Sequence, residues 1–110
     1  MIYTVTINPA LDVTCIAPGF TQGAVVRAEE TLCDPAGKGV NVSRAIRALG
    51  GDSVCMALVG GDTGKHLETL LKREGVTCDF SYTSVETRVN VKITDPVSHT
   101  HTDVNAPGAY

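Results

Sequence analysis

The sequence predicts an α/β fold in which parallel central-sheet strands are flanked by helices, with antiparallel strands added to that layer. Three observations carry the prediction: a β-branched opening segment, a continuous apolar run in mid-chain, and two helical stripes interleaved with them. Residues 2–7 (IYTVTI) end at Asn8-Pro9 and read as a strand closed by a turn. Val54-Cys55-Met56-Ala57-Leu58-Val59 is apolar without alternation, the pattern of a strand covered on both faces. Between them Val42, Ala45, Ile46 and Leu49 recur at i, i+3, i+4 and i+7, and Gly50-Gly51 stops the stripe, so a helix feeds the buried strand. A second helix is expected from about Thr63 to Glu74, with Leu67, Leu70 and Leu71 on one face, Asp62 as N-cap and Gly75 as the stop.

Residues 11–33, with turns at Pro18-Gly19 and Gly23, and residues 87–105 read as short antiparallel strands outside that layer. In the second stretch Val89, Val91 and Ile93 alternate with Arg88, Asn90 and Lys92, giving an apolar face and a donor-lined face. Arg, Asn and Lys side by side suit an anionic ligand. The plainer reading is the solvated face of a hairpin.

Composition narrows the function. The 110 residues, 43% apolar with net charge −3, fit one soluble globular domain with a small core. Only 9 Lys and Arg stand against 12 Asp and Glu with no basic run, which excludes the footprint of a nucleic-acid binder. The longest strictly apolar run, Val54 to Val59, is too short to span a bilayer, and the N-terminus has no basic region followed by an apolar stretch. A cytoplasmic location is therefore expected. Cys15, Cys33, Cys55 and Cys78 form no CxxC pair and read as buried, reduced thiols.

The most informative segment is Asp34-Pro35-Ala36-Gly37-Lys38-Gly39-Val40-Asn41, directly before the first helix. Small residues let the backbone approach a ligand, a helix N-terminus offers unpaired N–H groups, and Lys38 adds positive charge. A glycine-rich turn alone is weak evidence. Here it is followed at fixed spacing: Ala36-Gly37-x-Gly39-x-Asn41-x-Ser43, then Gly50, then Gly60.

That pattern resembles the N-terminal signature of the ribokinase-like (phosphofructokinase B) family of carbohydrate kinases. The opening IYTVTINPALD, the AGKGVNVSRAIRALGG block, the Gly60-Gly61-Asp62-x-Gly64 turn and the TRVNVKI strand resemble, in order, the branch of 1-phosphofructokinases and tagatose-6-phosphate kinases. Ala36 in place of the glycine many members carry tilts the substrate towards fructose 1-phosphate. The resemblance implies a partial ribokinase-like fold, with core segments at about 1–10 and 34–80 and lid strands at about 11–33 and 87–105. It implies ATP-dependent phosphorylation of a ketohexose phosphate, with ATP and Mg²⁺ as the full-length family member's cofactors and none assignable to this chain. Tagatose 6-phosphate, fructose 6-phosphate or a non-catalytic sugar-phosphate-binding module are the alternatives. By the same resemblance Asp12 accepts hydrogen bonds from sugar hydroxyls, and Gly37 and Asn41 contact the sugar. Lys38 and Arg88 hold its phosphate, Asn90 and Lys92 flank it, and Arg27 lies in a lid segment that in some relatives reaches the neighbouring subunit. A homodimer through the lid strands is the implied assembly.

Two rival signals fail. Gly60-Gly61-Asp62-Thr63-Gly64-Lys65-His66 has three residues between Gly60 and Gly64 where a P-loop needs four, and His66 stands where Ser or Thr must ligate magnesium. His99, His101 and Asp103 share one face of a predicted strand, but nothing nearby completes a metal shell. No catalytic residue is assigned, and the base is expected beyond Tyr110. The 110 residues alone are expected to be inactive, and two parallel strands with two helices leave apolar surface and an open edge.

Overall fold

The computed structural model describes residues 1–108, so Ala109 and Tyr110 lie outside the described residues. The elements run β1 (Ile2–Thr6), β2 (Ala10–Ile16), β3 (Glu30–Ala36), α1 (Lys38–Ala48), β4 (Ser53–Gly60), α2 (Gly61–Arg73), β5 (Thr77–Thr83), β6 (Arg88–Asp95) and β7 (Thr100–Val104). They form two sheets. The core sheet has the order β1-β4-β5, all parallel, and the lid sheet has the order β3-β2-β6-β7. In the lid, β2 runs antiparallel to β3 and parallel to β6, which in turn pairs antiparallel with β7.

Sequence reasoning anticipates two core strands, whereas the sheet has a third, β5. Its period-two signal is carried by Cys78, Phe80 and Tyr82, in a segment (TCDFSYT) otherwise made of Thr, Asp and Ser. The β3 strand continues to Ala36, so Asp34, Pro35 and Ala36 of the glycine-rich block belong to the lid sheet.

Both helices cover one face of the core sheet. Val40 from α1, Leu67 and Leu71 from α2, and Cys55, Ala57 and Val59 from β4 pack into one cluster, with Cys78 and Phe80 against it. The run 54–59 therefore alternates in burial, and among the described residues only one of its faces is covered. On the opposite face Tyr3 and Val5 are exposed, and their β4 neighbours Val54 and Met56 are only half-buried.

The first helix forms where the pattern predicts, but a different face meets the sheet. Val40 and Ser43 are buried, while Val42 and Leu49 are 50% and 89% exposed. The reason is partly polar. Ser43 Oγ lies 2.6 Å from Thr4 Oγ1 and accepts from Ser53 Oγ at 2.8 Å, so beside the Val40 packing the contact includes a buried hydroxyl network that no hydropathy stripe registers. Asp62 does not cap α2. Gly60 is the N-cap residue, and the carboxylate of Glu86, from the β5–β6 connection, accepts from the Thr63 N–H at 2.9 Å. Gly75 does follow the helix with φ 83°, as its sequence position predicts.

All four cysteines are free, but only Cys55 is fully buried, and Cys33 is exposed on β3. Burial pushes the Cys55 thiol up, and chiefly burial pushes that of its β5 neighbour Cys78 up to about 11. The far end of the lid is fastened by Asp95, 4% exposed, whose Oδ1 accepts from the N–H groups of Gly19 and Val97 at 3.0 and 2.9 Å. These bonds, that from Gly19 first, hold its carboxyl below the usual range.

The start of α1 is pressed against β1. A Cβ at Gly39 would stand 2.5 Å from Thr6 Oγ1 and 2.9 Å from the Val5 carbonyl oxygen, and Gly37 adopts φ 135°. Gly39→Ala is expected to lower stability by about 1–3 kcal/mol, since the backbone of β1 cannot yield. Thermal unfolding of the intact protein, followed by circular dichroism, checks this. A variant that melts with the wild type contradicts the close seating.

Candidate functional site

The lid sheet has two faces of opposed chemistry. Across β2 and β6, Asp12 is opposite Asn90 and Thr14 opposite Lys92, while Leu11 is opposite Val89 and Val13 opposite Val91. Side chains opposite one another share a face, so the alternation seen in β6 is matched by β2 and yields one polar and one apolar surface.

On the polar face the Asp12 carboxylate is held from β6. Asn90 Nδ2 donates to Asp12 Oδ1 at 3.2 Å, and Lys92 Nζ lies 3.5 Å from Oδ2. Asn90 is buried at 9% exposure, and its own Oδ1 accepts from the Ala106 N–H at 3.0 Å. Arg88 lies on the same face but is occupied with the main chain: Nη1 donates to the Ala106 carbonyl at 3.0 Å and Nη2 to that of Asn8 at 3.1 Å. Its Nε is buried without a hydrogen-bond partner among the described residues. One guanidinium thus joins the turn that leaves β1 to the segment that leaves β7.

The facing wall is the beginning of α1. Gly37 is the N-cap residue and its carbonyl accepts from the Asn41 N–H at 2.8 Å, while Lys38 and Asn41 are exposed. No side chain of α1 caps this end. Instead Thr6 Oγ1, from β1, accepts from the Val40 N–H at 3.0 Å.

Two adjoining clefts share Asn41. One, of about 350 Å³, is lined by Asp12, Thr14, Asp34, Arg44 and Lys92. The other, of about 550 Å³, is lined by Gly37, Lys38, Gly39 and Arg88. The structure thus brings Asp12, Gly37, Lys38, Asn41 and Arg88 to one concave region between lid and core, with Asn90 beneath Asp12. Arg27 lies apart, exposed in the β2–β3 loop.

Sequence reasoning missed Thr6 and Arg44. Arg44 donates to the Pro35 carbonyl at 3.0 Å and to Glu74 Oε1 at 2.9 Å, and lies 3.7 Å from Asp34, so it ties α1 to β3 and to the end of α2. Its partner Glu74 is 30 residues away, beyond any local pattern.

The glycines at 60 and 64 serve packing. A Cβ at Gly60 would stand 1.9 Å from the Val85 carbonyl oxygen, and one at Gly64 would stand 2.9 Å from Val59 Cβ, so this turn is filled by the β5–β6 connection and does not fit a nucleotide phosphate. His99 turns the β6–β7 hairpin with φ 58°, and His101 Nδ1 lies 3.3 Å from Thr94 Oγ1. Among the described residues no three metal-ligating side chains come together.

Known proteins share this fold. The chain is 37% identical over 108 residues to the 1-phosphofructokinase of Bacillus subtilis (strain 168), covering 98% of this chain and 35% of that protein. It is 34% identical over 93 residues to the D-tagatose-1-phosphate kinase of Bacillus licheniformis, covering 84% of this chain and 31% of that protein. Its fold superposes on phosphofructokinase-2 from Escherichia coli, solved in complex with fructose-6-phosphate, with a TM-score of 0.92 at 34% identity, covering 97% of this chain and 35% of that one. The chain therefore spans about a third of the length of these relatives. Residues 3–109 match the pfkB family carbohydrate kinases, and the chain belongs to that family.

Proposed function

We propose that the protein phosphorylates a ketohexose monophosphate, fructose 1-phosphate giving fructose 1,6-bisphosphate, and that this chain supplies the part that binds the sugar phosphate. The observation that carries the reading is the distribution of charge along the cleft: Lys38 and Arg88 line one part with no carboxylate beside them, and in the adjoining part the carboxylates of Asp12 and Asp34 are offset by Arg44 and Lys92. A sugar phosphate has the matching polarity, an anionic group at one end and hydroxyl donors at the other. A neutral sugar would give the basic pair nothing to neutralise. The choice of fructose 1-phosphate is supported by relatives called 1-phosphofructokinases that match nearly all of this chain.

ATP supplies the transferred phosphoryl group in this reading, and Mg²⁺ offsets its charge. Among the described residues the 60–64 turn is filled and no three metal-ligating side chains come together. No site for ATP or Mg²⁺ and no catalytic base is assigned to this chain. What the chain does is grip the sugar phosphate and present it. A cytoplasmic setting accompanies the reading, and among the described residues no helix is long and apolar enough to cross a membrane.

A coupled assay of the intact protein with ATP is expected to show turnover of fructose 1-phosphate ahead of fructose 6-phosphate and the tagatose phosphates. Lys38→Ala, at an exposed position, should raise KM for the sugar phosphate about tenfold or more with little change in melting temperature. Arg88→Ala should raise KM and also lower the melting temperature, because it releases two backbone carbonyls. Turnover of ribose or adenosine but of no sugar phosphate would overturn the proposal.

The lid's other face supports a second element of the reading, a homodimer built through the lid strands. Val13, Val91 and Val104 are neighbours across three strands there, and Val89 and Val104 are 37% and 60% exposed. Apolar surface so placed on a thin sheet suits a second copy of itself. Sedimentation equilibrium should give a dimer for the intact protein and a monomer for Val91→Asp. A wild type that sediments as a monomer, or a dimer unaffected by that substitution, contradicts it.

A further inference from the structure

The Asn90 side chain is held at both of its polar ends. Its Oδ1 accepts from the Ala106 N–H, one N–H of its Nδ2 is donated to Asp12 Oδ1, and the residue is buried at 9% exposure. Resting on the sugar-phosphate reading above, we infer that Asn90 is a positioning residue, which fixes the Asp12 carboxylate for the sugar hydroxyls and acts on binding through that carboxylate.

Three features of the geometry carry this. Asp12 and Asn90 are register partners on the parallel strands β2 and β6, so their side chains rise together on one face. The terminal torsion of an aspartate is broad, so a carboxylate without a directional partner turns freely, and one hydrogen bond to Oδ1 sets its plane. The other partners around Asp12 cannot do this as well: Asp34, opposite it on β3, is itself a carboxylate, and Lys92 lies 3.5 Å from Oδ2 with its side chain 44% exposed. A solvent-facing ammonium at that distance adds charge but little direction, and salt screens it.

The residue type follows. An amide is the side chain of this length that accepts from Ala106 N–H and donates to a carboxylate at once. An aspartate at the same position keeps the first bond and turns the second into a repulsion between like charges. Through Ala106, whose carbonyl Arg88 also holds, the orientation of Asp12 is tied to the segment leaving β7.

The test is a cycle on the intact protein, with fructose 1-phosphate as the probe and its Kd read by calorimetry. Asp12→Ala is expected to weaken binding about ten- to hundredfold. Asn90→Asp should weaken it about tenfold in the wild-type background and less than about twofold in the Asp12→Ala background, since a residue that acts only through Asp12 has nothing left to position. Asn90→Ala, which brings in no charge, is read in both backgrounds and should follow the same pattern. Losses of equal size in the two backgrounds, or no loss in the wild type, overturn the inference and leave the sugar-phosphate reading standing. An Asp12→Ala protein that binds the probe like the wild type overturns both.

Discussion

Thr6 stands with its hydroxyl 3.0 Å from the Val40 N–H, and there is no room for a side chain at Gly39 between β1 and the first turn of α1. The placement of the cleft depends on this contact. Because the helix starts directly on the strand, Gly37, Lys38 and Asn41 project from its first turn towards the lid and not over the sheet. Thr4, Ser43 and Ser53 extend the contact downwards as a hydroxyl network with both sheet and helix members satisfied. Buried hydroxyls are costly when unpaired, so the network permits one seating of α1 and penalises any slip along it.

From that seating the electrostatics of the cleft follow. The positive end of α1 and the Lys38 ammonium lie on one side, and the Asp12 carboxylate, braced from β6, lies on the other. Arg88 works at the junction between them. Its terminal nitrogens hold the exits of β1 and β7, so the residue that completes the basic end of the cleft is also the clasp that sets the lid against the core.

Much of this was legible in the residues. The spacing of Gly37, Gly39, Asn41 and Ser43 announces a helix start built for close approach, and the alternation in 88–93 marks the polar face of β6. What could not be read were pairings across long separations. Nothing local tells that Thr6 caps a helix 34 residues later, or that Asn90 reaches Asp12 across 78 residues. The misread face of α1 has the same origin: hydropathy picks out Val42 and Leu49, while the sheet contact is made by Val40 and, through hydroxyls, by Ser43. The strand β5 escaped because its buried members are a cysteine and a phenylalanine among Thr, Asp and Ser. Burial there comes from α2 packing over it.

The central claim is that the cleft binds a sugar phosphate in one orientation, and a crystal structure of the intact protein with fructose 1-phosphate tests it most directly. The account predicts the phosphate against Lys38 and Arg88 at the start of α1, with sugar hydroxyls donating to Asp12. A phosphate seated instead beside Lys92 and Arg44, or a sugar phosphate bound away from this cleft, would contradict it.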